Sequence, residues 1–369
     1  MGKVSVVSSR EGISEGLAQA LDLVGGLGRF ISSADRVLLK PNLNGVEGYT
    51  NRELVDALIP MILDLGARRV FIAESTFGSA QMTAMFFKQT GYIDLAQKYG
   101  IDLVNLNESQ VVEVPVQNPL ILDKIRIARD VFEADKIINL PNMKVHYATG
   151  VTLALKNLKG FLVGDEKKRF HEKGLDRAIV DLNNTIPVNL NIIDAIICME
   201  KMGPRGGDLV PLDLILAGEG RAEVDFVGCE IMGYELGEVR HLKLFVERNQ
   251  IDLRSIELVG ESVDKVKYPF KKVTVANVIP DEFHIHNKNA CSACMNAFLL
   301  SCSLLEKKPE QRIDVFLGSL VEEDFEGSVK LAFGNCCPGN LECDERILGC
   351  PPYPFLLKEY VQKRGENLK

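Results

Sequence analysis

Residues 36–73 read RVLLKPNLNGVEGYTNRELVDALIPMILDLGARRVFIA and contain a complete strand–helix–strand pattern. Apolar runs at residues 36–39 and 69–73 predict buried strands, and residues 51–65 between them carry apolar side chains at helical spacing. Asn51 suits the N-cap of that helix, and Gly66 suits its end. Short strands that alternate with helices predict an α/β fold with a mostly parallel, Rossmann-like sheet and helices on both faces.

The same alternation extends on both sides of this stretch and is interrupted by a predicted hairpin at residues 111–127. Further strands are predicted at residues 4–7, 136–140, 188–197 and 212–217. From about residue 265 the chain becomes rich in cysteine. Because 369 residues exceed what one hydrophobic core usually serves, we expect an α/β domain at residues 1–265 and a smaller α+β cysteine-rich lobe at residues 266–369.

The composition argues against several classes of protein. The net charge is −8, and an acidic chain without a basic tail is a poor candidate for binding nucleic acid. The sequence has no run of about 18 apolar residues, so we expect no membrane-spanning helix. The first residues form a segment too short and too polar for a signal peptide, and we therefore expect a cytoplasmic protein.

Nine cysteines need an explanation, because disulfides are rare in the reducing cytoplasm and metal binding is the better expectation there. Seven of them lie between residues 291 and 350. Two stand three residues apart at a predicted helix N-terminus, where the helix dipole stabilises thiolates. Two others closely follow a glycine, which lets backbone N–H groups approach sulfur. The sequence therefore predicts a 4Fe–4S cluster held by Cys291, Cys294, Cys336 and Cys350, with Cys337 or Cys343 as the substitute.

Other interpretations of the cysteines stay open. A structural zinc site also uses four cysteines, but usually as two Cys-x2-Cys pairs, and this sequence has one such pair. Zinc is therefore the alternative metal. The cysteines outside the predicted set can also be small apolar side chains in a core, and this is the expectation for Cys198, Cys229 and Cys302.

A second group of candidate site residues lies at predicted strand ends. Lys144 and His146 follow the strand at residues 136–140, and Lys40 and Asn42 end another strand. In open α/β sheets ligands bind at the carboxyl ends of strands, and several cations there suggest a phosphate or carboxylate ligand. His146 would then be a general base near neutral pH.

The segment after Thr149 is expected to begin a helix, whose N-terminus favours anions. Lys156 lies among apolar residues of this helix and either reaches solvent or faces a pocket. Asp194, a carboxylate in an apolar strand, is either a pocket acid or a hydrogen-bonded core residue. We therefore predict catalytic roles for His146, Lys156, Lys144 and His171, and substrate binding by Lys40, Asn42, Lys159 and Asp194.

Most of residues 1–265 resembles the family of domains of unknown function numbered 362. The resemblance rests on KPN at residues 40–42, Lys144 and His146, TLALKNLKG at residues 152–160, His171, IDA at residues 193–195, and Gly203-Pro204 followed by Gly206. It implies an association with iron–sulfur clusters. Family members often carry a separate ferredoxin insert with two cysteine runs, whereas this sequence lacks that insert and has the C-terminal cysteines instead.

Three functions stay open. In the first, a 4Fe–4S cluster passes electrons to or from a redox partner protein or a small anionic substrate. In the second, one iron of the cluster keeps an open position and acts as a Lewis acid in a non-redox enzyme. In the third, the chain is a zinc-stabilised anion-binding protein. We expect no nucleic acid or membrane partner, and assembly into a homo-oligomer stays open.

Overall fold

The computed structural model describes residues 2–76, 79–272, 278–287, 290, 292–319 and 329–367. Its contacts divide the chain into two units, Met1–Lys272 and Val273–Lys369. The boundary drawn from the sequence at residue 265 falls within a short helix of the first unit, Val263–Val266. Among the described residues, no helix is both long and apolar enough to cross a membrane.

The first unit is built around one large sheet. Its strands are β1 (Lys3–Ser8), β2 (Arg36–Pro41), β3 (Arg69–Glu74), β4 (Asp102–Asn105), β7 (Lys136–Leu140), β8 (Asn142–His146), β9 (Gly150–Thr152), β10 (Leu190–Glu200), β11 (Asp208–Gly218) and β12 (Glu257–Gly260). The predicted hairpin is a separate antiparallel pair, β5 (Val111–Pro115) and β6 (Lys124–Ala128).

The helices of the first unit connect and cover these strands. They are α1 (Ile13–Leu23), α2 (Arg52–Asp64), α3 (Ala80–Gln89), α4 (Tyr92–Tyr99), α5 (Ala154–Asn157), α6 (Glu166–Lys173), α7 (Leu175–Thr185), α8 (Arg221–Met232), α9 (Arg240–Asn249) and α10 (Val263–Val266). Short 3-10 turns lie at Leu27–Arg29, Leu106–Glu108, Arg129–Glu133, Leu158–Phe161, Leu236–Glu238 and Leu253–Ser255.

The large sheet is mostly parallel. The strand order is β12-β1-β11-β10-β7-β2-β3-β4, with β8 beside β10 and β9 beside β8. Strands β10, β7, β2, β3 and β4 pair in parallel, whereas β11 is antiparallel to both of its neighbours. The α/β fold class predicted from the alternation of strands and helices is confirmed.

Helices pack on both faces of this sheet, as the residues of β2 illustrate. Val37 and Leu39 belong to a buried cluster that includes side chains of α1 and α2. Leu38 points to the other face, where it belongs to a cluster with Leu158 and with Leu182 of α7. Because side chains alternate along a strand, a strand buried on both faces is apolar throughout, as this one is before Lys40.

Local sequence signals at α2 work as predicted. The side chain of Asn51 accepts a hydrogen bond from Glu53 N–H at 2.8 Å and so caps the helix. Gly66 has φ of 81° just after the helix, a conformation that favours glycine.

The segment after Thr149 differs from the prediction. Residues 150–152 form β9, which pairs antiparallel with β8, and the helix that carries Lys156 is only the four-residue α5. The carboxylate of Asp225 accepts hydrogen bonds from the N–H groups of Ala154 and Leu155, at 2.6 and 2.9 Å. A protein carboxylate therefore takes the place at this helix N-terminus that the sequence had suggested for a ligand anion.

The second unit has its own small sheet. Strands β13 (Phe283–Asn287), β14 (Ile313–Leu317), β15 (Val329–Phe333) and β16 (Glu345–Ile347) are all parallel and lie in this order. Helices α11 (Ser292–Ser303) and α12 (Phe355–Asn367) accompany it. Phe298 of α11 and Leu357 of α12 join Leu331 and Phe333 in one apolar cluster, so these helices cover one face of the sheet.

Candidate functional site

The predicted cationic side chains of the first unit converge at the carboxyl ends of β2, β3 and β7. Strand β8 continues past the end of β7 and carries Lys144 and His146 beyond its neighbours. Asn157 links the pieces, because its amide N–H groups donate to Lys40 O at 3.1 Å and to Asn139 Oδ1 at 2.8 Å. Its Oδ1 accepts from the amide of Asn42 at 2.9 Å. We call this group the cation cluster; it consists of Lys40, Lys144, His146, Lys156, Lys159, Lys167 and His171.

Within the cation cluster, Lys40 forms a buried ion pair with Glu74. Its ammonium donates to Glu74 Oε2 at 2.6 Å and to Pro41 O at 2.7 Å. Both side chains of the pair are buried, with exposed fractions of 0% and 4%. Gly160 packs directly against the pair, because a Cβ built there would overlap Glu74 Oε1 and Lys40 Nζ. Lys40 therefore has a structural partner, and the ion pair forms the floor of the site.

Lys167 is also bonded to protein atoms. Its ammonium donates to Ser75 O at 2.7 Å, to Ser75 Oγ at 2.8 Å and to Thr76 O at 2.7 Å, which uses all three N–H groups. Burial lowers its pKa to about 7. Lys167 was not predicted from the sequence, although it stands four positions before His171, a spacing that places two side chains on one helix face.

Lys144 holds the loop that follows β2. Its ammonium donates to Asn42 Oδ1 at 2.7 Å and to Gly48 O at 2.5 Å. Burial, with a smaller contribution from the positive charge of Arg205, lowers the pKa of Lys144 to about 7. Arg205 in turn donates to the backbone and side-chain oxygens of Asn44, at 3.0 and 2.8 Å. The loop at residues 42–50 is therefore anchored by two cationic side chains.

His146 has a defined proton arrangement. The N–H of Ala148 donates to its Nδ1 at 3.1 Å, so the neutral ring carries its proton on Nε2. Burial lowers the pKa of His146 well below its usual value, and the charges of Lys156 and Lys159 lower it further. In this state Nε2 is a hydrogen-bond donor, and the geometry favours that role over the general base expected from the sequence.

Lys156, Lys159 and His171 form the remaining part of the cluster. Lys159 Nζ lies 2.9 Å from Nε2 of His171, and burial together with the charge of Lys159 lowers the pKa of that imidazole. Lys156 is partly buried and makes no hydrogen bond to any described residue. Burial, followed by the charge of Lys144, lowers the pKa of Lys156 to about 7. These side chains are the part of the cluster best suited to meet a ligand.

Asp194 is a hydrogen-bonded carboxylate of the protein core. Its carboxylate accepts hydrogen bonds from Asn51 N–H at 2.6 Å, from Ile196 N–H at 3.0 Å and from Asn142 Nδ2 at 3.2 Å. Burial raises its pKa to about 6. Of the two roles left open by the sequence, these contacts support the hydrogen-bonded core residue.

A buried histidine beside the cluster was not anticipated. His241 of α9 is fully buried, and neither of its ring nitrogens has a hydrogen-bond partner among the described residues. Its Nδ1 lies 3.7 Å from Asp176 Oδ1, too far for a direct hydrogen bond. Asp176 is also the carboxylate that acts on Lys156, where its charge opposes the lowering of the lysine pKa.

Positive charge dominates the site. The carboxylates that act on Lys40, Lys144, Lys156 and Lys167 are those of Glu74, Asp176 and Asp194. The cationic side chains outnumber them: Lys40, Lys144, Lys156, Lys159, Lys167 and Arg205. Buried like charges raise each other's energy, and an anionic ligand would relieve that repulsion.

The cysteines form a second candidate site in the second unit. A Cβ built on Gly334 would lie 3.0 Å from Cys294 Sγ, so the segment just before Cys336 passes close to that sulfur. The N–H of Asn335 donates to Gly349 O at 3.0 Å, and its side-chain oxygen accepts from Gly349 N–H at 2.7 Å. Two hydrogen bonds therefore join the segments that precede Cys336 and Cys350 near Cys294.

The two substitute cysteines lie elsewhere. Cys337 Sγ is 3.1 Å from Phe316 O, and its side chain belongs to a small apolar cluster with Phe316 and Ala332. Cys343 packs against this cluster. Cys294 belongs instead to the cluster of Leu331 and Phe333, on the opposite face of the sheet. Their positions favour Cys336 over either substitute.

The fit of a metal to these residues is incomplete in what the structure describes. Cys291 lies outside the described residues. Within the described ranges, no group of three or more His, Cys, Asp and Glu side chains is arranged to hold a metal ion. The glycine at position 334 does let the backbone pass close to Cys294 Sγ, which is the kind of backbone approach that a cluster requires. Cys302 is a buried thiol whose pKa burial raises to about 12, as expected for an apolar core residue.

Comparisons with known proteins bear on the first unit. The sequence profile of DUF362, a domain of unknown function, matches residues 37–230. A relative from Synechocystis sp., described as thylakoid-associated protein sll1697, is 31% identical over an alignment of 227 residues, and the match covers 58% of this chain and 68% of that protein. The matched profile includes the cation cluster and ends before the cysteine-rich residues.

A solved structure resembles the chain more distantly. The lactate racemase apoprotein from Thermoanaerobacterium thermosaccharolyticum superposes with a TM-score of 0.42 at 13% sequence identity. The match covers 62% of this chain and 57% of that one.

Proposed function

Since the chain belongs to the DUF362 family of domains of unknown function, we propose from its own residues that it is an iron–sulfur protein acting on a small anionic substrate. The cation cluster is the proposed substrate site. The observation that carries this proposal is the surplus of buried positive charge at the carboxyl edge of the sheet, where Lys156 makes no hydrogen bond to a described residue.

The physical argument concerns what an anion would contribute. Burial lowers the pKa values of Lys144 and Lys156 to about 7, with a further contribution from the charge of Arg205 for Lys144 and from that of Lys144 for Lys156, so keeping both lysines protonated is unfavourable without an anion. A carboxylate or phosphate can accept charge-assisted hydrogen bonds from several of these groups at once. Lys156, Lys159 and the Nε2–H of His146 are the proposed contacts, while Lys40 and Lys167 position the surrounding backbone.

Calorimetric titration with sulfate and with inorganic phosphate tests the substrate site. We expect the wild-type protein to bind at least one of these anions, and Lys159→Met to weaken that binding by about tenfold, as loss of a charged hydrogen bond would. Lys98→Met, which removes an exposed lysine paired with Asp56, is the matched control and should bind normally. Absence of binding by the wild-type protein, or equal binding by Lys159→Met, would contradict the proposal.

The cysteines of the second unit are the proposed ligands of a 4Fe–4S cluster, namely Cys291, Cys294, Cys336 and Cys350. Such a cluster supplies one-electron transfer, to a partner protein or to the bound substrate. Two alternatives differ in chemistry: one iron with an open position would act as a Lewis acid, and zinc would have a structural role. Metal ligands of this kind suit the reducing cytoplasm, which is the location we propose.

Metal analysis of protein purified without oxygen separates these alternatives. About four irons and four sulfides per chain, with an absorption that bleaches on reduction, would support the cluster. The assignment of the cysteine ligands is tested with Cys294→Ala, which should lose the iron. The control is Cys302→Ala, which should retain it. One zinc without iron would exclude the redox proposal.

A further inference from the structure

Lys156 differs from the other lysines of the cation cluster in its contacts. Lys40, Lys144 and Lys167 each donate to protein oxygens at 2.5–2.8 Å, whereas Lys156 donates to no described residue. The residue as a whole is partly buried. Because no described acceptor stabilises its ammonium form, loss of the proton from Lys156 breaks no hydrogen bond to a described residue.

The backbone around Lys156 is fixed on both sides. Before it, the N–H groups of Ala154 and Leu155 are bonded to the Asp225 carboxylate, at 2.6 and 2.9 Å. After it, the side chain of Asn157 is bonded to Asn42 and to the backbone of Lys40. The starting point of the lysine side chain is therefore held to the same sheet edge as its cationic neighbours.

The charges around Lys156 favour the neutral amine. Burial is the main cause that lowers its pKa to about 7, and the charge of Lys144 adds to it. The charge of Asp176 acts in the opposite direction. A lysine desolvated beside other cationic groups is the arrangement that makes an amine nucleophilic near neutral pH.

We propose that Lys156 forms an imine with a small carbonyl compound that also carries a carboxylate or phosphate, such as a 2-oxo acid. This inference rests on the proposed anion site, because Lys159 and His146 would hold the anionic group and the carbonyl oxygen. Lys156 Nζ bonds to the carbonyl carbon, the carbon–oxygen double bond opens, and the oxygen takes up both amine protons and leaves as water. The product is a C=N bond between the substrate carbon and Nζ, with no oxidant or reductant required.

Reductive trapping on the full-length chain tests this assignment. The protein is incubated at pH 7 with glyoxylate, pyruvate or pyridoxal 5′-phosphate, reduced with cyanoborohydride, digested and mapped by mass spectrometry. We expect a reduced adduct on Lys156 with at least one probe, formed at least tenfold faster than on the exposed Lys98 of the same protein. Excess inorganic phosphate should slow the labelling of Lys156 and leave that of Lys98 unchanged.

Two variants separate chemistry from folding. Lys156→Arg keeps a positive charge but cannot form an imine, so it should lose the adduct while unfolding at the wild-type temperature. Lys124→Arg changes an exposed lysine and should label like the wild type. No adduct at Lys156 with any probe, or labelling no faster than at Lys98, would overturn the inference.

The result also distinguishes this inference from the proposed function. If sulfate or phosphate binds in a Lys159-dependent manner but Lys156 is not trapped, the anion site stands and the imine does not. If neither binding nor trapping is observed, both are wrong.

Discussion

The ammonium of Lys40 and the carboxylate of Glu74 form a buried ion pair with an Nζ–Oε2 distance of 2.6 Å. The two residues come from the ends of neighbouring parallel strands, β2 and β3. Glu74 also accepts from the N–H of Ser75 at 2.8 Å, so the pair shapes the start of the loop after β3. The floor of the cation cluster therefore depends on a charge pair shielded from water.

We predict that Glu74→Gln lowers the free energy of unfolding by about 3 kcal/mol, because removing one partner leaves the other charge buried and uncompensated. Urea unfolding measures the change. The control is Glu113→Gln, in the exposed pair with Lys124, which should change stability by less than about 1 kcal/mol. Equal effects of the two substitutions would mean that the buried pair is not important for stability.

The stability of the unliganded protein should rise with pH between about 7 and 10. An unfolded lysine keeps its proton up to its ordinary pKa near 10.5, whereas folded Lys144 loses it near 7. The unfolded state therefore binds more protons in this interval, and each such site adds up to about 1.4 kcal/mol per pH unit to the free energy of unfolding.

Urea unfolding at several pH values, in buffers without phosphate or sulfate, tests this dependence. Lys144→Met should reduce the slope by about one proton's contribution, whatever its effect on stability at a single pH. Lys98→Met should leave the slope nearly unchanged, because the pKa of Lys98 is raised by its bond to Asp56 and stays above the interval. A wild-type stability that is flat or falls from pH 7 to 10 would contradict the pKa assigned to Lys144.

His146→Asn should weaken anion binding without disturbing the local turn. The Asn side-chain oxygen can accept from Ala148 N–H in place of Nδ1, but the variant lacks the donor at Nε2. Because hydrogen bonds to charged groups contribute about 1.5–3 kcal/mol, we expect sulfate affinity to fall about tenfold or more. Calorimetry measures it, with the exposed His284→Asn as the control. Unchanged affinity would exclude His146 from the site.

The adjacent cysteines 336 and 337 should differ in their effect on metal content. Cys337 Sγ is bonded to Phe316 O at 3.1 Å, in an apolar cluster separate from that of Cys294. We predict that Cys336→Ser loses most of the iron and that Cys337→Ser retains it. Iron analysis of the two variants, purified without oxygen, decides the matter. The reverse result would make Cys337 the ligand and would require the strand end after Phe333 to rearrange.

Much of the fold was predictable from local sequence patterns. The strands and helices of residues 36–73, the Asn51 cap and the β5–β6 hairpin depend on neighbours in the sequence, so periodicity and turn residues predict them. The helix expected directly after Thr149 was not found, because contacts between residues distant in the sequence decide the structure of this segment. Strand β9 pairs with β8, and the carboxylate of Asp225, 71 residues from Ala154, sets where the short helix begins.

The sequence by itself determined which chemical groups lie at the strand ends: lysines, histidines and amides in the first unit and cysteines in the second. Only the tertiary structure decided what each group does. Lys40 pairs with Glu74, which is 34 residues away in the sequence, and Lys144 donates to Asn42, which is 102 residues away. Lys156 has no hydrogen-bond partner among the described residues. The physical reason is that burial and hydrogen bonding depend on distant segments brought together by the sheet, and these set the charge of each amine.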